Sequence, residues 1–457
     1  MSPIYQAIMR VAQEASLNTA SAAILSIHRL FLHPLRRVPG HFLAKMTTLG
    51  FVPSTFKFDR VYKYGPIVRV GPNVSLSDWK MCRRIYTDKQ TLKDPQFYLP
   101  LSFLGHGNVF SVTILDDAQV YSQREISAHA STIWERTDML IDCLLKSALD
   151  SPTHTADAYD LFGAWGIEII CKLLVNTDIP DDPSQTIRFL EALESSPPTF
   201  FASILVPWLQ TFRFRTRIPG LLGHAYRVFA EWEALAIGLL DFQNQDRGPD
   251  DRGKFGVAPL LEAKNKQLGS NYTFREAMEE AMGTVLAGSG VSGVSGHTFI
   301  YLTYALARPQ GRHSQQRLRE ELKGTGDSLA ELTALPYLSA VIKETYRLFP
   351  AIMSTLPRIL GQPVEVVDTD ITLPPGTVVG MQNYVHHRDP ILFPKPDELI
   401  PERWLEHHEM SRVNCMGQTL AKTELYLAVP RLVRRLDFSL SRKMKDDDMH
   451  MKDAWAV

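Results

Sequence analysis

The residue best placed for chemistry is a cysteine, Cys415, in the stretch SRVNCMGQTLAKTEL over residues 411–425. Apolar residues recur at helical spacing after it and predict a helix over 417–436. A helix N-terminus stabilises negative charge, so a cysteine about one residue ahead of it is biased towards the thiolate, the form that binds metals. Gly417 leaves room there for a flat ligand. A purely structural cysteine is the alternative that this stretch alone leaves open.

A charged pair lies nearer the N-terminus, in KETYRLFP over residues 343–350. Glu344 and Arg347 are three residues apart, so they share one face of a predicted helix. Arg403, in the proline-rich segment 383–406, can join them, because an arginine binds a carboxylate with two directional hydrogen bonds. Most such pairs are exposed and contribute little to stability. A solvated surface pair and an ordinary proline-rich loop are therefore the alternatives.

A third segment contains glycines with the spacing Gly288-x-Gly290-x-x-Gly293. In dinucleotide-binding folds this spacing follows a strand and precedes an acid by about 20 residues. Here a helical pattern precedes it, and the next acid after Gly293 is Glu320, so a nicotinamide site is not indicated. The pattern favours one long helix over 274–307 whose small residues let a flat group approach. Two helices broken by a glycine-rich loop are the alternative.

The composition limits the classes of function. The chain has 457 residues, of which 45% are hydrophobic and 22% charged, as is usual for a globular protein. A net charge of −1 gives no reason to expect a nucleic-acid partner. The cysteines show no paired spacing, which argues against a disulfide framework or a zinc site and for a reducing compartment. They are Cys82, Cys143, Cys171 and Cys415.

Helical periodicity dominates the elements that must position these residues. It predicts helices over 156–176, 222–244, 274–307, 313–323, 334–349 and 417–436. Short strands are predicted within 66–77 and 363–380. Strands and helices do not alternate regularly, so a doubly wound parallel sheet is not expected. The pattern predicts a mainly α fold with small β-sheets, a leader over 1–40 and a single domain over 41–457.

The leader has features of a weak membrane anchor. Residues 20–35 are apolar but are interrupted by His28 and Arg29, so a run of about 18 apolar residues for a complete span is missing. Basic residues suited to a cytoplasmic membrane face lie here and just beyond, namely Arg29, Arg36, Arg37 and Lys45. An amphipathic leader that packs on the domain is the alternative.

The order of these motifs resembles the cytochrome P-450 family of haem-thiolate monooxygenases. The resemblance is close in the C-terminal third, where it is carried by KETYRLFP, LPR, HRDPILFPKPDELIPERW and NCMGQTLAKTEL. HRLFLHPLRRVPG and YGPIVRVGPNVSLSD look like N-terminal segments of filamentous-fungal members of the secondary-metabolism type. The resemblance implies the P-450 fold, with haem b between the long glycine-rich helix and the loop and helix that carry the cysteine.

The resemblance also implies roles for residues at matching positions. Cys415 matches the axial thiolate ligand of the haem iron, with Gly417 beside it. A thiolate ligand donates electron density to iron and favours cleavage of the O–O bond. Glu344, Arg347 and Arg403 match a buried network behind the cysteine loop, which serves folding and haem retention rather than the chemical step.

Further matches lie around the expected haem. Arg358 matches an arginine that contacts a haem propionate, and Arg124 is a weaker match to a second one. The helix that passes over the haem and binds oxygen is matched by Ala287, Gly288, Gly290 and Val291.

The loop ahead of Cys415 departs from the family pattern. Where the family has Phe, Gly and Arg, this chain has His408, Ser411 and Val413. Arg412 can replace the missing arginine if the loop is shifted by one residue. The shortened loop predicts weaker binding of haem and weaker shielding of the sulfur.

The oxygen-binding helix departs as well. The family has an acid followed by Thr, which deliver protons to bound dioxygen, but this chain has Gly290 and Val291. Ser292 follows and can hydrogen-bond dioxygen or a water molecule. The nearest acids along this helix, Glu279 and Glu280, lie about three turns upstream. The sequence therefore predicts no carboxylate near Ser292, and water-mediated or substrate-assisted proton delivery.

The resemblance implies a monooxygenase that hydroxylates, epoxidises or oxidatively cyclises a lipophilic secondary metabolite, with O2 as oxidant. One alternative is a haem-thiolate enzyme without conventional O2 activation, such as a peroxide user, an isomerase or a cyclase. The other alternative is a degenerate paralogue that binds haem poorly and does not catalyse.

Partners follow from the same resemblance. Since no flavin or iron–sulfur segment is recognisable, electrons are expected from a separate NADPH-dependent flavoprotein reductase. The expected location is the cytoplasmic face of the endoplasmic reticulum membrane, through a weak anchor, or otherwise the cytoplasm. Residues 98–113 are a candidate substrate-facing loop, with a plain surface loop as the alternative, and residues 353–356 are a second candidate lining.

Overall fold

The structure is a computed structural model of the chain. It describes residues 26–40, 45, 65, 67–70, 73–108, 111, 130–175, 183–195, 197–210, 214–245, 264–265, 270–288, 294–352, 355–381, 383–406, 418–445 and 449.

Helices form most of the described chain. The α-helices are α1 (Trp79–Thr87), α2 (Pro95–Tyr98), α3 (Ala130–Asp150), α4 (Ala158–Val175), α5 (Pro183–Glu194), α6 (Pro197–Leu205), α7 (Gly220–Gln245), α8 (Phe274–Gly288), α9 (Val294–Ala307), α10 (Arg312–Glu321), α11 (Leu329–Thr333), α12 (Pro336–Leu348), α13 (Asn383–His386), α14 (Arg403–Glu406) and α15 (Gln418–Arg435). Short 3-10 helices cover Pro34–Arg37, Leu99–Leu101, Pro207–Gln210, Arg215–Arg217 and Pro309–Gly311, and a π-helix covers His28–Leu32. No described helix has the length and apolar character needed to span a membrane.

The strands are short. They are β1 (Ile67–Val70), β2 (Asn73–Leu76), β3 (Leu92–Lys93), β4 (Lys264–Asn265), β5 (Ser270–Asn271), β6 (Arg358–Ile359), β7 (Val364–Glu365), β8 (Thr372–Leu373) and β9 (Val378–Met381). The predicted class, mainly α with small sheets, is confirmed.

Most of the predicted helices appear with ends shifted by a few residues. The helix predicted over 274–307 appears as α8 and α9, and its centre, residues 289–293, lies outside the described residues. Several helices were not predicted, among them α1, α3, α5 and α6. In α3 the buried positions Ile133, Leu140, Ile141 and Leu144 are separated by charged residues, which obscure the apolar stripe.

The chain divides into two compact units, each built from separate stretches. The first comprises the described residues of 26–94 and 352–386, and the second those of 95–351 and 387–449. The predicted leader and single domain stay predictions. Two residues of the leader, Leu35 and Val38, are buried in the apolar core of the first unit.

The first unit is organised by a sheet of order β1-β2-β9-β6-β3. Strand β2 pairs with β1 in a hairpin and with β9 in parallel, whereas the pairs β9–β6 and β6–β3 are antiparallel. Arg69 of β1 is fully buried, and its Nη1 donates to the carbonyl of Arg29 at 2.7 Å. The chain before β1 approaches so closely that a Cβ on Gly40 would lie 2.4 Å from the Arg69 carbonyl oxygen. Only glycine fits at that position.

The second unit contains two apolar clusters. In the first, Trp165 of α4 packs edge-on against Phe299 of α9, with ring centroids 4.6 Å apart. The same cluster includes buried residues of α12 and α15. The second cluster joins α4, α5, α6, α7 and α8 and is rich in aromatic side chains, including Phe229 and Trp232 of α7. Helices α8, α9, α12 and α15 thus have apolar faces that fix their positions within this unit.

Helix α12 starts at a cap provided by another helix. Pro336 suits the first helical position because it has no N–H to satisfy. The next two N–H groups, of Tyr337 and Leu338, donate to Oε1 and Oε2 of Glu321 in α10, each at 2.7 Å. A carboxylate at this end also interacts favourably with the helix dipole. Glu321 therefore fixes the start of the helix that carries Glu344.

The cap gives a first prediction. Replacement Glu321→Ala should lower the free energy of unfolding by about 1–2 kcal/mol, because two N–H donors lose their partner. The matched control is Glu320→Ala, since the neighbouring Glu320 is exposed and pairs only with Lys323, also exposed, in the described contacts. The control should cost less than about 1 kcal/mol in the same urea titration. Equal losses in the two variants would show that Glu321 is not a cap.

Candidate functional site

The best-defined polar centre is the carboxylate of Glu344 in α12, which is fully buried. Arg347 binds it with two hydrogen bonds, from Nε at 2.9 Å and from Nη2 at 2.8 Å. Nε of Arg403 donates at 3.1 Å, Nε1 of Trp404 at 2.8 Å and the backbone N–H of Ile400 at 3.0 Å. The structure thus brings together the three predicted residues and adds two donors that were not predicted.

The two arginines also hold the proline-rich segment. Nη1 of Arg347 donates to the carbonyls of His387 at 2.8 Å and Pro396 at 2.6 Å. Both terminal nitrogens of Arg403 donate to the carbonyl of Pro394 at 3.1 Å. This irregular segment can satisfy few of its carbonyls through its own backbone, so buried side-chain donors replace a regular hydrogen-bond ladder.

An aromatic side chain closes the network. Phe393 is buried, and the guanidinium carbons of Arg347 and Arg403 lie 5.0 and 6.0 Å from its ring centroid. Its ring lies 6.2 Å from that of Trp404. The Phe393 ring therefore shields the two guanidinium groups from water, and a cation–π contact is stronger when the cation is desolvated. The arrangement is a structural one, since every donor ends on Glu344 or on a backbone carbonyl.

Helix α15 begins at Gln418, close to the predicted start. Its buried residues include Ala421, Leu425, Ala428 and Leu432, the apolar stripe seen in the sequence. Cys415, Gly417, Arg412 and the loop that contains His408, Ser411 and Val413 lie outside the described residues.

The predicted oxygen-binding segment is described only in part. Ala287 and Gly288 form the end of α8, whereas Gly290, Val291 and Ser292 lie outside the described residues, as does Arg124. Arg358 lies in β6 of the first unit, where its Nη1 donates to the carbonyl of Pro357 at 3.1 Å and its guanidinium carbon lies 5.1 Å from the ring centroid of Tyr86. Its role at a propionate stays a prediction.

A second buried carboxyl group was missed by the sequence analysis. Ser295 of α9 donates a hydrogen bond from its hydroxyl to Oε2 of Glu424 in α15, and both residues are buried. The prediction that no carboxylate lies near Ser292 considered acids on the same helix, but this one comes from a different helix and meets the chain three residues after Ser292. A polar residue within the apolar stripe of α15 was the available signal.

The environment of Glu424 determines its protonation. Burial raises the pKa of Glu424 to about 8, and the hydrogen bond from Ser295 opposes that shift. The carboxyl group therefore keeps its proton at neutral pH. A protonated carboxyl bonded to a hydroxyl can supply or accept a proton, so the pair has the chemistry of a buried acid.

The described cysteines differ in their suitability as metal ligands. Burial raises the pKa of Cys82, and it raises the pKa of Cys171 to about 12, so both remain protonated thiols. Cys143 is exposed on α3. A metal ligand must be a thiolate, which buried apolar surroundings disfavour. Cys415 lies outside the described residues, three residues before the start of α15, and its role as a thiolate ligand stays a prediction.

A mainly helical fold with a buried Glu-x-x-Arg network and a cysteine ahead of a late helix defines a haem-thiolate enzyme. The cytochrome P-450 family model matches residues 58–456, and the chain belongs to this family. Its cofactor is haem bound through a cysteine thiolate, and the protein is an oxidoreductase of the monooxygenase type.

Relatives support the assignment. The chain is 25% identical to the cytochrome P-450 monooxygenase BOT1 of Botryotinia fuckeliana, over 91% of this chain and 88% of the relative. It is 26% identical to the cytochrome P-450 monooxygenase gsfF of Penicillium aethiopicum, over 92% and 91%. The structure of a cyanobacterial CYP120A1 with bound retinoic acid matches with a TM-score of 0.71 and 18% identity, over 89% of this chain and 93% of that chain. That match shows the shared fold.

The network gives a second prediction. Replacement Glu344→Gln leaves two buried guanidinium groups without a counter-charge and should lower the free energy of unfolding by about 3–5 kcal/mol, with loss of haem. Glu402→Gln is the control, because Glu402 is 34% exposed and pairs with Arg317, which is 43% exposed. The control should cost less than about 1 kcal/mol. Urea titration and haem content measure both, and a Glu344→Gln protein as stable as the control would contradict a buried network.

The buried acid gives a third prediction. The pKa of Glu424 is about 8 in the folded chain and has its ordinary value of 4.5 in the unfolded chain. The unfolded state therefore releases the proton first as pH rises. This group should lower stability by about 1 kcal/mol per pH unit between roughly pH 5 and 8, and its effect should level off above that range.

Glu424→Gln should remove this contribution, because the amide is neutral at every pH. Urea midpoints measured from pH 5 to 9 should fall less steeply for this variant than for wild type, whereas Glu320→Gln should keep the wild-type slope. Identical slopes for wild type and Glu424→Gln would mean that the carboxyl group is ionised when folded.

Proposed function

We propose that this chain inserts one oxygen atom from O2 into a lipophilic secondary metabolite, by hydroxylation, epoxidation or oxidative ring closure. The observation that carries the proposal is the family match over residues 58–456, together with fungal relatives that are named as monooxygenases. When bound, haem with a thiolate ligand supplies the activation of oxygen. The chain's residues bind the cofactor, orient the substrate and handle protons.

Cys415 is the residue proposed to bind the haem iron through its thiolate. Three observations support it: Cys82 and Cys171 are buried thiols, Cys143 lies exposed on α3, and helix α15 begins just after Cys415. The positive end of α15 stabilises a thiolate ahead of it. Gly417 would leave space beside the cofactor, and Arg412 would replace the arginine missing from the cysteine loop.

The propionates of the cofactor would be held by arginines. Arg358 is the stronger candidate and Arg124 the weaker one. The Glu344 network would hold the segment ahead of the cysteine loop, because Arg403 and Trp404 tie the last described residues of that segment to α12. A rigid support matters more here than elsewhere, since the loop lacks the family's Phe, Gly and Arg.

Proton handling is proposed for the side facing the oxygen-binding helix. Ser292 would hydrogen-bond dioxygen or a water molecule, within the small-residue stretch formed by Ala287, Gly288, Gly290 and Val291. The Ser295–Glu424 pair supports a nearby source of protons, because its carboxyl group is protonated at neutral pH.

Two other functions remain candidates on specific observations. Gly290 and Val291, in place of an acid and Thr, favour a haem-thiolate enzyme without conventional O2 activation, such as a peroxide user, an isomerase or a cyclase. The altered loop at His408, Ser411 and Val413 favours a degenerate paralogue with poor haem binding.

Electron supply and location are part of the proposal. Electrons would come from an NADPH-dependent flavoprotein reductase. Attachment to the cytoplasmic face of the endoplasmic reticulum membrane is supported by Phe31 and Leu32, which are 64% and 67% exposed, and by Arg29 and Arg36 beside them. Apolar side chains flanked by basic ones suit a membrane surface rather than a complete span.

The first test is the absorption spectrum of the reduced, carbon-monoxide-bound protein. Wild type and the control Cys143→Ser should show a red-shifted Soret band, because a thiolate would bind the haem iron. Cys415→Ala should lose that band. A folded wild type without any haem band would contradict the monooxygenase proposal and favour the degenerate paralogue.

With haem in place, consumption of NADPH and O2 in the presence of reductase and substrate separates the two enzyme classes. Turnover that requires both supports the monooxygenase. Turnover with peroxide alone, or without any oxidant, supports the alternative enzyme.

A further inference from the structure

A fully buried carboxylate on α8 holds a loop from elsewhere in the chain. Glu279 accepts hydrogen bonds from the backbone N–H groups of Phe103 at 2.8 Å and Leu104 at 2.5 Å. Nδ2 of Asn108 donates to Oε1 of Glu279 at 2.7 Å. One side chain therefore binds three donors of the segment 101–108, which we term the clamped loop.

The clamped loop is closed by its own contacts around Asn108. Nδ2 of Asn108 also donates to the carbonyl of Leu101 at 2.7 Å, while its Oδ1 accepts from the N–H of Ser111 at 3.0 Å. The N–H of Asn108 donates to the Ser111 hydroxyl at 2.8 Å. Both Asn108 and Ser111 are buried. These contacts hold the loop in a conformation in which its three donors converge on Glu279.

This conformation fixes the position of the Phe103 ring, which we term the aromatic wall. Phe103 packs on α7, with its ring 5.2 Å from Trp232 and 6.2 Å from Phe229. Leu104 is partly buried against the same cluster. Glu279 binds the N–H groups of these two residues. It therefore fixes where the Phe103 ring packs against α7.

The contacts of Glu279 with the clamped loop come from neutral donors. No described cation forms an ion pair with Glu279, so its hydrogen bonds come from neutral donors of the loop. The nearby Glu233 is paired with Arg215 at 3.6 Å. Burial first, and then the charge of Glu279, raise the pKa of Glu233 to about 7, while Arg215 opposes the shift. If the loop opened, the buried charge of Glu279 would lose its partners, which is strongly unfavourable.

We propose that Glu279 is a positioning residue for substrate selection, which locks the clamped loop so that Phe103 presents a fixed wall to a bulky ligand. This proposal rests on the proposed function, because the clamped loop lies within residues 98–113, the candidate substrate-facing segment. Glu279 acts through the loop and need not touch the substrate itself.

Hydrogen–deuterium exchange tests the lock without any cofactor chemistry. In Glu279→Gln, peptides that cover residues 101–108 should exchange at least about tenfold faster than in wild type, because the charge-assisted bonds to Phe103 and Leu104 are weakened. Glu331→Gln is the control, since the Glu331 carboxylate also accepts a hydrogen bond near a helix start, from the Ser328 hydroxyl at 2.5 Å, but lies at α11. It should leave exchange in the loop unchanged. Unchanged exchange in Glu279→Gln would overturn the lock.

A charge exchange sharpens the test. Asn108→Asp places a second carboxylate against Glu279 and should open the loop. The double variant Glu279→Gln with Asn108→Asp should recover part of the protection, because the new amide can donate to the new carboxylate. A merely destabilised protein would show additive losses and no recovery, and that result would also overturn the lock.

Azole binding tests the selectivity. Imidazole and the bulky azole clotrimazole both bind haem iron through nitrogen, but only the bulky one should contact the wall. In Glu279→Gln the Kd of clotrimazole should change by about tenfold while that of imidazole changes less than about twofold. If exchange shows that the loop is released in Glu279→Gln but the Kd values of both azoles change equally, Glu279 has no role in substrate selection. A wild type without haem would overturn the proposed function and the selectivity with it, whereas exchange alone decides the lock.

Discussion

The structure of the second unit depends on one desolvated negative charge, the carboxylate of Glu344. A charge removed from water is tolerated only when hydrogen-bond donors replace its hydration. Here five hydrogen bonds do so, and they come from α12 itself and from the proline-rich segment that follows much later in the chain. The requirement works in both directions, since the segment has many prolines and depends on the same arginines for its carbonyl groups. Helix α12 and the proline-rich segment therefore stabilise each other.

Three further glutamates follow the same principle. Glu321 joins α10 to the start of α12, Glu279 joins α8 to a loop, and Glu424 joins α15 to α9. The first two accept hydrogen bonds from backbone N–H groups, whereas burial raises the pKa of Glu424 to about 8, so that it keeps its proton at neutral pH. The fold thus uses buried glutamate side chains to join distant chain segments, and one of them also holds a proton.

The sequence predicted those parts of the site that depend on local spacing. Glu344 and Arg347 are one helical turn apart, and the motif of the proline-rich segment includes Arg403. These contacts could therefore be anticipated. The long helices followed from apolar periodicity. The contacts of Glu279 and Glu424 could not be anticipated, because each joins residues far apart in the chain. The apolar stripe of α15 marks Glu424 as a polar residue on a buried face, but it does not identify Ser295 as its partner. The parallel pairing of β2 with β9 has the same origin, since residues 74–76 meet residues 379–381 without any connecting motif. Helix α3 is a different case, because its stripe was present but masked by charges.

The distance along the chain between Glu344 and its partners has a consequence for biosynthesis. Chains emerge from the ribosome N-terminus first, and folding begins before synthesis ends. Helix α12 therefore exists for a period without Ile400, Arg403 and Trp404, and during that time Glu344 has only Arg347 as a partner among the residues described in its network. An incompletely neutralised carboxylate stays hydrated, so the apolar face of α12 cannot close fully around it. Burial can be completed only after the proline-rich segment has emerged from the ribosome, shortly before Cys415 emerges in turn. The nascent chain is thus kept open until the segment that carries the proposed haem ligand is about to appear.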